Sequence, residues 1–213
     1  MDDIHERSQL GYRILHLSKD PGVSDFYITP WEQLTYKRNG KLYFDSFVYQ
    51  PERPIEVTPG CIDYAVSLGT RRYRVNRMIT RGRPRWTLRL LPESIPEAAK
   101  IRVPPPALKA FLEAKNGLFL VCGATGSGKS TTIASLILER AKRRQEHVVT
   151  FEDPIEFIYP PGLPSLMSQR EMGTDEHEFG TALRAALRQA PDVILVGEIR
   201  DGETAEIALQ AAE

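Results

Sequence analysis

This sequence has few of the features that mark specialised protein classes. Its 213 residues hold two cysteines, Cys61 and Cys122. That is too few for a disulfide framework and makes no metal-binding spacing, so a reducing cytoplasm is the expected compartment and both thiols are expected in the core. There is no excess charge of either sign, with 28 basic residues against 28 acidic ones. No global field therefore draws the chain to nucleic acid or anionic lipid, and electrostatic recognition must be local. Long apolar runs are missing too: "LFLVC" and "VILV" are far too short to cross a bilayer. The start, "MDDIHERSQL", is acidic and polar, unlike a secretory signal. A soluble protein is expected, reaching a membrane only through partners.

What is present divides into two halves. The first reads as a small α+β module. "IHERSQLGYRILHL" puts Ile4, Leu10, Ile14 and Leu15 on one helical face, and "SDFYIT" is a short strand. "QLTYKRNGKLYF" is a hairpin turning on Asn39-Gly40, a pair suited to positive φ. "PGCIDYAVSL" reads as a helix opened by Pro59, followed by strands "RRYRVNRMIT" and "RWTLRLL". Prolines 92, 96, 104, 105 and 106 then mark a stiff linker. Beyond it strands and helices alternate: strand "GLFLVC", helix "STTIASLILERAKRR", strand "HVVTF", helix "EFGTALRAALRQA", strand "DVILVG" and a last helix capped by Asp201. That alternation implies a parallel sheet covered on both faces. The expected boundaries are a domain at 1–94, a Pro-rich linker at 95–106 and an α/β domain at 107–213.

The chemistry concentrates in the second half. Gly123, Ala124, Thr125, Gly126, Ser127, Gly128, Lys129, Ser130 and Thr131 spell GATGSGKST, a fit to G-x-x-x-x-G-K-[ST] between a strand and a helix. Its glycines let backbone N–H groups turn inward around phosphate oxygens, Lys129 adds a charge for the β and γ phosphates, and Ser130 can ligate Mg²⁺. Just past "HVVTF", the run "FEDPIEF" crowds Glu152, Asp153 and Glu156 together. Ligands of open parallel sheets bind at that edge, so these carboxylates are candidates for Mg²⁺ and water handling. The strand "VILV" delivers Gly197 and then Glu198, where most P-loop enzymes place Asp first.

Eight arginines lie between Arg71 and Arg89, with Arg72, Arg74 and Asn76 on one strand face by the two-residue period. Such a face suits nucleotide phosphates, a nucleic-acid surface or plain solvation. With only Tyr73 and Trp86 interleaved, a stacking platform for single strands has little support.

Taken together, "GATGSGKSTT", "TFEDPIEFIYP", "SQRE" and "ALRAALRQAPDVILVGEIRD" closely resemble the secretion and pilus traffic ATPases, in particular the PilT- and DotB-like group. The resemblance extends upstream to "RRYRVN" and "LRLLPESIP", and Gly197 is what this group carries before its Walker B acid. It implies a PAS-like N-terminal domain, a flexible linker and a RecA-like motor domain that assemble as a hexamer beneath an inner-membrane platform or secretion channel. ATP with Mg²⁺ would bind between the domains, with hydrolysis driving displacement. By that likeness Glu156 is the catalytic glutamate, Glu198 the Walker B acid, Lys129 the phosphate-binding lysine, and Arg74, Arg81 and Arg89 are arginines near the phosphates. Ser130, Glu152, Asp153 and Glu198 would serve the metal, some through water. The family pattern runs on past "AAE" into a Thr-Gly-His segment and a His box, so a C-terminally truncated motor is expected. Rival readings are a nucleic-acid translocating ATPase and a nucleotide-gated assembly module without turnover.

Overall fold

The computed structural model describes residues 4–5, 7–51, 62–173, 175, 178–199 and 201–213. They form two compact units, Met1–Glu93 and Ser94–Glu213.

In the first unit, helix α1 (Gln9–Leu17) begins where the Ser8 side chain accepts the Gly11 N–H. Six antiparallel strands follow: β1 (Val23–Ile28), β2 (Gln33–Arg38), β3 (Lys41–Val48), β4 (Ile62–Leu68), β5 (Arg71–Thr80) and β6 (Arg83–Leu90), in the order β3-β2-β1-β6-β5-β4. Leu10 and Ile14 of α1 join a core with Phe26, Ile28, Leu34, Tyr73, Val75 and Leu88. The Ser18 and Tyr73 hydroxyls share a buried hydrogen bond at 2.7 Å beneath the helix end.

One expectation fails here. The stretch 62–68 is strand β4, paired along its length with β5, and not a helix. Ile62, Tyr64, Val66 and Leu68 alternate with Asp63, Ala65 and Ser67, a two-residue period that the Pro59-Gly60 signal overrode. The expected helix start at Pro59, and Cys61, lie outside the described residues.

The second unit contains α2 (Pro105–Glu113), α3 (Lys129–Ala141), β7 (His147–Glu152), β8 (Leu166–Glu171), α4 (Phe179–Leu187), β9 (Val193–Val196) and α5 (Gly202–Ala212). Its strands are parallel in the order β8-β7-β9. Ile137 and Leu138 of α3 pack with Val148, Met167, Val193 and Leu195 on one face of the sheet. Ala182, Leu183 and Ala186 of α4 and Ile207 and Ala208 of α5 pack with Val149, Phe151, Ile194 and Val196 on the other. Strand alternation thus splits the apolar residues between two helical layers, as expected of a covered parallel sheet. Asp201 caps α5 as expected, accepting the Thr204 N–H at 2.7 Å.

Three further expectations change. Residues 117–122 are not in a ladder among the described residues: Leu118, Phe119 and Leu120 are exposed, and so is Cys122, which is therefore not a core thiol. An apolar run becomes a strand only where a neighbouring strand offers hydrogen bonds, and composition cannot supply that neighbour. Pro105 and Pro106 do not stay irregular but open α2, where their missing N–H groups cost nothing. Strand β8 was not expected at all.

Candidate nucleotide site

The GATGSGKST loop runs into α3 through Gly126 and Gly128, at φ 77° and 92°, a backbone region that side chains disfavour. Thr125 and Gly126 form its turn, closed by the Ser127 N–H on the Ala124 carbonyl at 3.1 Å. At Gly123 a Cβ would stand 2.6 Å from the Ser127 hydroxyl oxygen, so a side chain there would require that hydroxyl to turn aside. Lys129 folds back over it, its Nζ donating to the Gly123 and Ala124 carbonyls at 3.0 Å each. The first hydrogen bond back into α3 is Thr132 N–H to Gly128 O at 2.8 Å, and no side chain caps the helix. The amides of Lys129, Ser130 and Thr131 are thus the donors that a helix start leaves for an anion.

The other end of α3 fixes where this loop lies. Arg140 in its last turn makes a two-point contact with Glu146, just before β7, at 2.7 and 2.8 Å. The helix therefore runs back along the strand, and its first turn lies toward the C-terminal edge of β7. That edge carries the acids. Thr150 and Glu152 alternate with Val149 and Phe151, and so belong to the α3 face of the sheet. Gly197 follows β9 alongside Glu152, its N–H donating to the Phe151 carbonyl at 2.8 Å. A Cβ on Gly197 would lie 2.9 Å from that carbonyl oxygen and 3.3 Å from the Glu152 Cα. This close approach is why glycine precedes the half-buried Glu198.

The acidic stretch is held by residues that the sequence reading quoted without assigning a role. Glu152 Oε1 accepts from Thr150 Oγ1 at 2.7 Å and from Gln169 Nε2 at 3.2 Å. Gln169 Nε2 also donates to the Phe157 carbonyl at 2.8 Å, and its Oε1 accepts the Tyr159 N–H at 3.1 Å. Glu171 Oε2 accepts the Ile155 N–H at 3.1 Å. Ile155, Phe157 and Tyr159 are buried while Asp153 and Glu156 are half-buried, so Glu156 points away from the apolar side of an extended segment. Burial, reinforced by the Glu152 charge, pushes the Tyr159 hydroxyl well above its ordinary pKa, keeping it protonated. The signal for all this was the two-residue spacing of Gln169 and Glu171 on β8, legible only once β8 is known to pair with β7.

The arginines belong to the first unit. Arg74 and Arg89 are direct cross-strand partners on β5 and β6. Like charges so placed repel. Each is offset by a carboxylate: Arg74 makes a two-point contact with Asp63, down to 2.6 Å, and Arg89 Nε donates to Asp25 at 2.8 Å. Arg81 occupies the exposed turn between β5 and β6 at φ 52°, followed by Gly82 at 73°.

The chain as a whole is similar to known proteins. A family model described as Type II/IV secretion system protein matches residues 60–213. The chain belongs to the type II/IV secretion system protein family. Within it, the type IV pilus ATPase PilU of Pseudomonas aeruginosa is 34% identical over 217 residues, covering 94% of this chain and 56% of that protein. The crystal structure of the pilus retraction motor PilT with bound ADP superposes with a TM-score of 0.84 at 39% identity, covering 94% of this chain and 63% of that one. The ATPase DotB of Legionella pneumophila gives a TM-score of 0.80 at 29% identity, covering 95% and 62%. The chain spans about half the length of the curated relatives it matches.

Proposed function

We propose that this chain is the nucleotide-handling part of a motor ATPase that drives pilus retraction or type IV secretion. The observation that carries the reading is the curled loop of Gly123–Gly128, with Lys129 over its carbonyls and uncapped amides behind it, toward the sheet edge that bears Glu152 and Glu198. PilU and DotB are named ATPases and PilT a retraction motor, and the PilT structure holds ADP. We assign 1–94 as a PAS-like domain, the proline-rich stretch from 95 up to the start of α2 as the linker and the rest to 213 as a RecA-like motor domain, working as a hexamer under an inner-membrane platform at the cytoplasmic face. No helix among the described residues is long and apolar enough to cross a membrane.

In this reading the loop amides and Lys129 hold the phosphates, and Glu156 orients water and takes up its proton. Mg²⁺ keeps several waters and takes one or two carboxylates together with phosphate oxygens, a demand that a hydroxyl and one carboxylate can meet. Ser130 and Glu198 would hold it, with Glu152 and Asp153 acting through water. Once bound, Mg²⁺ would neutralise phosphate charge.

Arg81 supports a nucleotide role for the first unit. The β2–β3 hairpin places Asn39 and Gly40 at φ 48° and 78°, the pair such a turn prefers, whereas the β5–β6 hairpin forces arginine into the same geometry. A residue kept against local preference points to function. Arg74 and Arg89 already face carboxylates, which argues against a bare basic stripe for DNA.

The test is ATP binding and phosphate release by Glu156→Gln. Binding should persist while turnover falls by roughly two to four orders of magnitude. Parent-level turnover would place the catalytic acid elsewhere, and tight binding without phosphate release by the parent would favour an assembly module.

A further inference from the structure

The geometry points to Gln169 as a positioning residue that sets the place of Glu156, an inference that rests on the ATPase reading above. Its carboxamide does for residues 157–159 what a neighbouring strand would do. One end donates to the Phe157 carbonyl and the other accepts the Tyr159 N–H, two residues apart on an extended chain. The same Nε2 reaches Glu152 Oε1, so one amide ties the end of β7 to the segment that leaves it. Glu156 stands between these two anchors. Glu171, on the same face of β8, takes the Ile155 N–H immediately before it. The acid is thus framed by backbone contacts on both sides, all made to one strand.

The chemistry explains why an amide is required. A carboxylate could accept from Tyr159 but could not donate to Phe157 or Glu152, and would repel the latter. An apolar side chain would leave a buried carbonyl and N–H unpaired. Water activation depends on placement, and a misplacement of about 1 Å can cost about a hundredfold in rate. Gln169 therefore acts on turnover through Glu156, without touching nucleotide.

The experiment is a double-mutant cycle on the full-length protein, read by ATP affinity and by single-turnover phosphate release. Gln169→Leu should lower turnover about 10- to 100-fold while ATP affinity stays within about twofold. In the Glu156→Gln background the same change should cost less than about twofold, because the group it positions is already gone. A full, multiplicative loss in that background, with Glu156→Gln itself slow, overturns the positioning role and leaves the ATPase reading standing. Parent-level turnover by Glu156→Gln overturns both. Should Gln169→Leu fail to fold, Gln169→Glu, which keeps the acceptor for Tyr159, replaces it with the same expected outcome. Hydrogen exchange in the unmutated protein gives an independent check. The Tyr159 amide should be protected well beyond its solvent-facing neighbour Ile158, and equal exchange at the two overturns the proposal.

Discussion

Replacing Gly197 with alanine should damage the second unit out of proportion to one methyl group. The added Cβ meets the Phe151 carbonyl oxygen at 2.9 Å and the Glu152 Cα at 3.3 Å. Both are backbone atoms of a strand whose Phe151 is fully buried, so neither can swing aside. Relief requires the end of β9 to back away from β7 by about half an ångström, at the point where the Gly197 N–H bonds Phe151. Overpacking of this kind costs about 1–3 kcal/mol, and weakening that hydrogen bond adds up to about 1 kcal/mol. A net loss of about 1–4 kcal/mol follows. Because Glu198 comes next in the chain and Glu152 is one of the atoms displaced, turnover should fall as well. Gly202→Ala is the matched control. Nothing lies within 4 Å of its Cβ and it opens α5, so that change should be neutral or stabilise by up to about 1 kcal/mol. Native-state hydrogen exchange at the β7 and β9 amides reads the effect. Trp31 and Trp86, the two tryptophans, both lie in the first unit, so their fluorescence reports on it separately. If Gly197→Ala leaves β7 and β9 exchange unchanged, or matches Gly202→Ala, the close-approach reasoning is wrong.

Lys129→Ala should abolish ATP binding without unfolding the protein, since among the described residues its amine donates to two loop carbonyls alone; retained affinity by titration calorimetry would refute the phosphate-loop assignment. Arg81→Asn should keep or raise the stability of the first unit, because asparagine tolerates positive φ, while weakening ATP binding or turnover; unchanged ATP kinetics would remove Arg81 from the site. Burial pushes the Asp45 carboxyl up, but the Arg13 guanidinium and the Phe47 N–H outweigh it and hold the group below the ordinary carboxylate range. Its contribution to stability is therefore complete above the unfolded carboxyl value of about 4 and is lost as pH falls through the lower folded value. Acid titration by tryptophan fluorescence should be shallower below that pH in Asp45→Asn, and identical curves would refute the linkage.

Where local pattern and tertiary context agree, the sequence was enough. The apolar spacing in α3, β7, α4 and β9 gave their types and the covered parallel sheet, and GATGSGKST gave the loop. Asn39-Gly40 gave its hairpin because the turn's backbone admits few other pairs. The failures share a cause. β4 carries a clear alternation, but a proline-glycine pair beside it imitates a helix start. β8, "LMSQRE", has too little apolar content to declare itself, and is a strand because β7 offers it an edge. Residues 117–122 are the converse, apolar enough for a strand yet in no strand ladder among the described residues. The role of Gln169 was hidden for the same reason. Contacts between residues ten or more apart, as Gln169 makes, follow here from the pairing of β8 with β7, which a short window of sequence does not contain.

The grip at the far end of α3 has a mechanical meaning. Besides holding Glu146, Arg140 donates to the Phe111 carbonyl at 2.7 Å, and Arg144 donates to that of Leu112 at 2.6 Å. Nearer the loop, the Ser135 hydroxyl donates to the Pro96 carbonyl at 2.6 Å. A helix of 13 residues is a rod of about 20 Å. One end of this rod is the GATGSGKST loop, its middle is bonded to the proline-rich stretch, and its tail clasps the end of α2. A tilt of this rod at the loop would therefore be felt, as along a tie-bar, at the carbonyls of Pro96, Phe111 and Leu112.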